Sequence, residues 1–173
     1  MKIILDLVDD QYPFVEVRKT RHAARGVVLD SNGRVALTHL FVEVDKFGGR
    51  NYYELPGGGL KDNEHPLAAA KREMEEELGL RVKFLKELGC VHDFYNLIFQ
   101  ENYSHYFLFT IEGKGQKALE PRESLLIDRV DWLDLEEAID FFESYEMPGV
   151  GLLVKRRELP ILKLAKQFIE KTN

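Results

Sequence analysis

Apolar and polar residues alternate along much of the first part of the chain, which is the pattern of half-buried β-strands. The alternation, together with β-branched and aromatic residues, predicts strands over residues 2–8, 14–18, 22–29, 34–42 and 51–55. Asp30-Ser31-Asn32-Gly33 lies between the third and fourth of these runs, and its Asn-Gly pair predicts a hairpin turn. Residues 45–50 are predicted to form a loop.

A long helix is predicted from about residue 65 to residue 78. Pro66 suits its first turn, three alanines follow, and Gly79 suits its C-terminal stop. The next β-rich runs predict strands over residues 80–88, 91–100 and 103–112, followed by a polar loop over residues 113–124. These assignments place one helix in the middle of a chain that is otherwise rich in strands.

The last part of the chain predicts one more strand and two helices. The strand covers residues 128–133, and the capping box of residues 134–137 begins a helix that ends near residue 144. A C-terminal helix is predicted over about residues 159–170, with Pro160 in its first turn. Many strands, a central helix and two late helices predict an α/β (α+β) fold, in which a mixed β-sheet packs between helices.

Length and composition indicate an ordinary globular protein. The 173 residues are 45% apolar and 31% charged, so we expect a single domain over residues 1–173, with 1–20 as an N-terminal strand extension and 145–173 carrying the C-terminal helix. The formal net charge of −6 argues against non-specific nucleic-acid binding. No apolar run approaches the ~20 residues that span a membrane, so no membrane partner and a cytoplasmic location are expected. The lone cysteine, Cys90, is expected to be a buried structural thiol.

The central helix carries an unusual density of carboxylates. Glu73, Glu76 and Glu77 are three and four residues apart and therefore share a face, where like charges repel. A hard divalent cation would offset that repulsion, and Mg²⁺ is usually held by a few carboxylates and substrate phosphates. The alternative is a solvated acidic face. The glycine-rich turn directly before the helix favours the cation, because glycines allow the backbone to come close to a ligand or another element.

The segment GGLKDNEHPLAAAKREMEEELGL, residues 58–80, resembles the sequence box of the Nudix hydrolases, the MutT-like family. Every fixed position of that box is filled: Gly58, Glu64, Arg72, Glu73, Met74, Glu76, Glu77, Gly79 and Leu80. Leu55-Pro56-Gly57 also resembles the usual lead-in. The flanking strands fit the family's α/β/α sandwich, so the resemblance is expected to extend over residues 20–140.

The resemblance implies a role for each box residue. Glu73, Glu76, Glu77 and the carbonyl of Gly58 would bind Mg²⁺, for which Mn²⁺ may substitute. Glu73 or Glu76 would also accept a proton from the attacking water, while Glu64 and Arg72 would support the geometry of the loop and helix. The implied reaction is hydrolysis of a diphosphate bond in a nucleoside diphosphate derivative.

Candidates outside the box are less sharply defined. Members of the family often supply one more acid from a late loop, and Glu120 and Glu123 are placed to do so. We prefer Glu123 as a catalytic residue, because it lies where the chain re-enters the fold, although a solvated loop is the alternative. Arg25, His39 and Tyr53 are candidate substrate-binding residues on strands near the box, with purely structural roles as the alternative.

Several functions stay open at this level. Nucleoside triphosphates, dinucleoside polyphosphates, nucleotide sugars and a capped RNA end would all suit the reaction. A Nudix-fold nucleotide sensor without catalysis is the principal alternative, and an acidic-helix interaction protein is a second. A homodimer is possible, with residues 1–20 as the suspected interface.

Overall fold

The computed structural model describes residues 2–44, 49–121 and 123–172, so most of the predicted loop at 45–50 lies outside the described residues. Within them the chain forms eight strands and three α-helices. The elements are β1 (Ile3–Leu7), β2 (Lys19–Leu29), β3 (Arg34–Val42), β4 (Arg50–Glu54), β5 (Gly57–Gly59), α1 (Pro66–Leu78), β6 (Leu80–Tyr95), β7 (Gln100–Lys114), β8 (Ile127–Asp134), α2 (Leu135–Ser144) and α3 (Val150–Thr172).

The strands form one sheet in the order β1-β6-β7-β2-β3-β4, with β5 joined to β2 and β8 joined to β3. The sheet is mixed, because β1 is parallel to β6 and β2 is parallel to β7, whereas the hairpins are antiparallel. Strands β2 and β3 pair at Leu29 and Val35, next to their turn. Farther along, β2 pairs with β5 while β3 pairs with β4 and β8, so the sheet divides beyond the hairpin.

Helices cover both faces of the sheet. Alternate residues of β2 point to opposite sides, as the two-residue period of a strand requires. Val27 belongs to the apolar cluster that includes α2 and α3, whereas Val28 belongs to the cluster that includes α1. The predicted α/β/α sandwich is therefore confirmed. None of the described helices combines the length and apolarity that crossing a membrane requires.

Three predicted strands after α1 are in fact the two long strands β6 and β7. The break predicted near Gly89 is wrong, because Gly89 has φ +133° and lies at a register shift after which the ladder resumes. A β-carbon there would lie 2.8 Å from the side chain of Ile4 on β1, so the glycine also allows the edge strand to pack closely. The turn lies instead at residues 96–99, where Phe99 has φ +55°.

Three other predictions need correction. The strand expected over residues 14–18 is wrong: these residues follow Pro13 and are largely exposed, without ladder pairing in the described chain. The glycine-rich segment before α1, predicted to be a turn, forms the short strand β5 at Gly57–Gly59. Helix α3 begins at Val150, which places Pro160 inside it and not in its first turn. Buried apolar residues on both sides of Pro160, such as Val154 and Ile161, pack α3 onto the sheet and offset the lost backbone hydrogen bond.

Candidate active site

The glycine strand β5 lies between β2 and the acidic face of α1. Gly58 pairs with Ala24 of β2. Gly57 has φ +145°, and its N–H donates to Glu77 Oε2 at 3.1 Å. A β-carbon on Gly58 would lie 2.6 Å from Glu73 Oε1. The expectation that these glycines serve a close approach is met, since a side chain at Gly58 would collide with a box carboxylate.

Local signals fix both ends of α1. His65 caps the first turn by accepting the N–H of Leu67, and Pro66 occupies the first helical position. Gly79 takes the left-handed conformation at the C-terminus, where its N–H donates to Glu75 O. The helix buries Met74 against the sheet and carries Glu73 and Glu77 into the same buried region.

Arg72 forms hydrogen bonds to β5, to the loop that follows it and to α1. Its guanidinium forms a bidentate pair with Glu64 at 2.9 Å for each bond, and Nη2 donates to Gly59 O at 3.1 Å. Nη1 donates to Glu73 and to Glu76, each at 2.7 Å. The hydrogen bond from Arg72 lowers the pKa of Glu64 to about 2. Arg72 thus connects Glu64, the Gly59 carbonyl, Glu73 and Glu76, and the supporting role of Glu64 and Arg72 stays a prediction.

Glu73, Glu77 and Glu123 come together at the end of the cleft. One carboxylate oxygen from each lies within 4.8 Å of the others. Glu73 and Glu77 are only 3% and 4% exposed, and Glu73 Oε2 has no hydrogen-bond partner among the described residues. Burial raises the pKa of Glu73, against the effect of Arg72, and raises that of Glu77 well above its usual range. An oxygen-only donor set of three carboxylates suits a hard divalent cation.

Two further candidate acids, Glu76 and Glu120, lie outside this cluster. Glu76 is bound to Arg72 and lies 3.7 Å from the Lys61 ammonium, on the more exposed side of the helix. Glu123 begins a short 3-10 helix, and its Oε2 accepts the N–H of Glu120 at 2.9 Å. The structure therefore brings Glu123, not Glu120, to the two buried box glutamates, while Glu120 lines the adjoining cleft.

The cluster opens into a cleft of about 900 Å³ between the two parts of the sheet and the start of α3. Its lining includes polar side chains that sequence reasoning did not select: Arg21, Tyr52, Asp93, Asn102 and Arg157. Arg21 could have been found, because it shares the face of β2 with Arg25. Arg157 had no local signal, since the C-terminal helix was predicted to begin after it.

Arg25 lines the cleft but is tied to protein groups. It is 3% exposed, donates from Nη1 to Leu55 O at 2.7 Å, and lies 3.2 Å from Glu54 and 3.6 Å from Glu158. Its contacts fit the structural alternative better than direct substrate binding.

His39 and Tyr53 lie elsewhere. His39 is held between Asp128 at 3.0 Å and Asn51 at 2.9 Å, and the Tyr53 ring packs edge-on against Phe141. Neither is among the described residues that line the cleft. Their positions therefore do not support the expected role in substrate binding. Of the adjacent tyrosines it is Tyr52 that faces the cleft, because alternate strand residues point to opposite sides.

Comparison with known proteins identifies relatives of this arrangement. A model of the NUDIX domain matches residues 19–149. An 8-oxo-dGTP diphosphatase from Proteus vulgaris is 38% identical over 44% of this chain and 67% of its own length. An RNA pyrophosphohydrolase from Bartonella bacilliformis is 35% identical over 48% of this chain, and the match spans less than half, 45%, of that relative. A NUDIX hydrolase structure from Nitrosomonas europaea superposes with a TM-score of 0.63 at 16% identity, covering 86% of this chain and 89% of that one.

Proposed function

This chain belongs to the NUDIX family, and on that basis we propose that it is a divalent-cation-dependent hydrolase that cleaves the diphosphate bond of a nucleoside diphosphate derivative. The observation that carries the proposal is the convergence of Glu73, Glu77 and Glu123 at the end of a large polar cleft. The names of two relatives, a diphosphatase and a pyrophosphohydrolase, support a hydrolase of phosphorus anhydrides.

The donor set fits Mg²⁺, or Mn²⁺ in its place. Glu73, Glu77 and Glu123 would hold it, with Glu76 and the carbonyl of Gly58 as further oxygen donors beside them. When bound, the cation would neutralise phosphoryl charge and lower the pKa of a bound water. Arg72 keeps Glu73 and Glu76 close together, because its Nη1 donates to both at 2.7 Å.

Arg21 is suited to hold a phosphate of the substrate. Its guanidinium lines the cleft and has no hydrogen bond or ion pair within residues 2–44, 49–121 and 123–172. Burial, with Arg25 nearby, lowers its pKa. Ala23, two residues along β2, pairs with Gly59, so Arg21 lies roughly 7 Å along the strand from the glycines. A guanidinium there can bind phosphate oxygens in a bidentate manner.

Glu123 is suited to accept the proton of the attacking water. It approaches from a loop outside α1, while Glu73 and Glu76 are engaged by Arg72. The N–H of Glu120 orients its carboxylate. Glu73 and Glu76 remain the candidate bases if Glu123 serves only as a ligand.

A nucleotide panel tests the proposal. It should contain oxidised and unmodified nucleoside triphosphates, dinucleoside polyphosphates, nucleotide sugars and 5′-triphosphorylated RNA, each incubated with Mg²⁺, Mn²⁺ or a chelator. We expect chromatography to show a nucleoside monophosphate or monophosphorylated product that appears only with a cation. Nucleotide binding without product from any member would instead support the sensor, and equal turnover in chelator would remove the cation from the mechanism.

A further inference from the structure

Both backbone polar groups of one buried residue, the N–H and the carbonyl of Leu55, are held by charged side chains from distant parts of the chain. Its N–H donates to Glu158 Oε2 at 2.6 Å, and its carbonyl accepts from Arg25 Nη1 at 2.7 Å. The two side chains also face each other, with Arg25 Nε 3.6 Å from Glu158 Oε1. Leu55 and Glu158 are fully buried. The two charge-assisted hydrogen bonds hold the peptide groups on both sides of the Leu55 α-carbon, so the backbone dihedral angles of Leu55 have little freedom to change.

Leu55 lies at the start of residues 55–58, the segment that contacts the carboxylates of Glu73 and Glu77. Pro56 follows Leu55 with a fixed φ, and its carbonyl accepts the N–H of Gly26. The next residue, Gly57, donates its N–H to Glu77, and Gly58 lies against the carboxylate of Glu73. The backbone conformation of Leu55 therefore sets where these glycines lie relative to Glu73 and Glu77.

Glu158 comes from α3, beyond residues 19–149 of the family match. Apolar residues of α3, among them Ile161 and Leu162, are buried in the core, which gives the carboxylate a rigid base. Glu158 also accepts from Tyr106 Oη at 3.3 Å and lies 3.4 Å from Arg157. A buried carboxylate is costly unless such partners surround it, and here its shortest bond is the one from the Leu55 N–H.

We propose that Glu158, together with Arg25, is a positioning residue that holds residues 55–58 in the conformation that cation binding requires. The proposal rests on the proposed function for its purpose, since it supports the same cation site from outside the residues that the family model matches. It also assigns Arg25 to the support of the site in place of direct substrate contact.

Hydrogen exchange by NMR in the cation-free protein tests the proposal without relying on activity. The amide of Gly57 reports on the segment, and the amide of Leu108, in the interior of the sheet, reports on global opening. In Glu158→Ala we expect protection of Gly57 to fall at least about tenfold more than protection of Leu108. In Glu158→Gln the selective loss should be smaller, because the amide oxygen still accepts the Leu55 N–H but no longer pairs with Arg25.

Leu162→Ala is the matched control, because Leu162 is a fully buried residue of α3 in the apolar core. It should lower protection of Gly57 and Leu108 together. A Mn²⁺ titration followed by electron paramagnetic resonance should show binding weakened about tenfold in Glu158→Ala and unchanged in Leu162→Ala.

Equal losses of hydrogen-exchange protection at Gly57 and Leu108 in both Glu158 variants would overturn the proposal. Glu158 would then contribute to global stability alone. Unchanged Mn²⁺ affinity in Glu158→Ala would also overturn it. The exchange result does not depend on any substrate. A wild-type protein that hydrolyses no nucleotide would therefore refute the proposed function, but it would not refute the role of Glu158 and Arg25 in holding the Leu55 backbone.

Discussion

Replacing the three glycines of β5 by alanine, one at a time, should separate folding from cation binding. The ideal β-carbon of Gly57 would lie 2.3 Å from Ala24 O, and its φ of +145° disfavours any side chain. Backbone strain and overpacking together should cost about 3 kcal/mol or more. For a chain of this size that corresponds to a fall in thermal midpoint of roughly 6–12 °C.

Gly58→Ala should behave differently, because its β-carbon meets the end of a flexible side chain. The carboxylate atoms of Glu73 lie 2.6–2.8 Å away and can move, so the folding cost should be only about 1 kcal/mol. Moving them, however, takes Glu73 out of its place beside Glu77. We expect Mn²⁺ affinity to fall about 10- to 100-fold. Gly59→Ala is the control: its nearest contact is His22 O at 4.0 Å, so stability should change by less than about 0.5 kcal/mol.

Circular dichroism in chelator gives the thermal midpoints, and a Mn²⁺ titration followed by electron paramagnetic resonance gives the affinities. The expected order is a large midpoint loss for Gly57→Ala, a selective affinity loss for Gly58→Ala, and neither for Gly59→Ala. If Gly58→Ala and Gly59→Ala bound Mn²⁺ equally well, the close contact of Gly58 with Glu73 would have no part in cation binding and the reasoning would be refuted.

Three further predictions concern the acids around α1. Glu123→Gln should lower kcat at least about tenfold with a smaller change in KM, whereas Glu120→Gln should stay near wild type in steady-state kinetics; the reverse pattern would mean that the wrong loop acid was chosen. Glu76→Gln should lower activity by orders of magnitude while the midpoint in chelator changes little, and a collapse of the midpoint would mark Glu76 as structural. The low pKa of Glu64, near 2 because of Arg72, stabilises the fold above pH 4.5 and is lost as the pH falls toward 2; the midpoint gap between wild type and Glu64→Gln should therefore be larger at pH 6 than at pH 3, and an equal gap would refute this assignment.

Local patterns predicted those parts of the molecule that local forces determine. Strand β3 matches its predicted bounds, and α1 has the predicted proline start and glycine stop, because capping and periodicity act over a few residues. The structure places Glu123 beside Glu73, and its preference over Glu120 as a catalytic residue stays a prediction.

The rest depends on contacts between residues far apart in the chain. A glycine in a strand and a glycine in a turn look alike in sequence, so the sequence predicts a break between two strands at Gly89. The two-residue period of a strand places Tyr52 and Tyr53 on opposite sides, but the order of the strands decides which side is the cleft. The bond between Leu55 and Glu158 spans 103 residues, and no local pattern marks either partner.

The measurement that tests the central claim most directly is product formation as a function of Mg²⁺ concentration, compared between wild type and Glu77→Gln on the best substrate of the nucleotide panel. Glu77 is buried beside Glu73 and Glu123, and glutamine keeps its size and its bond from Gly57. We expect wild type to form no product in chelator and to saturate with Mg²⁺, and Glu77→Gln to be folded but slower by ~100-fold or more. Turnover by Glu77→Gln at the wild-type rate, or wild-type turnover in chelator, would contradict the assignment of this carboxylate cluster as the cation site of a hydrolase.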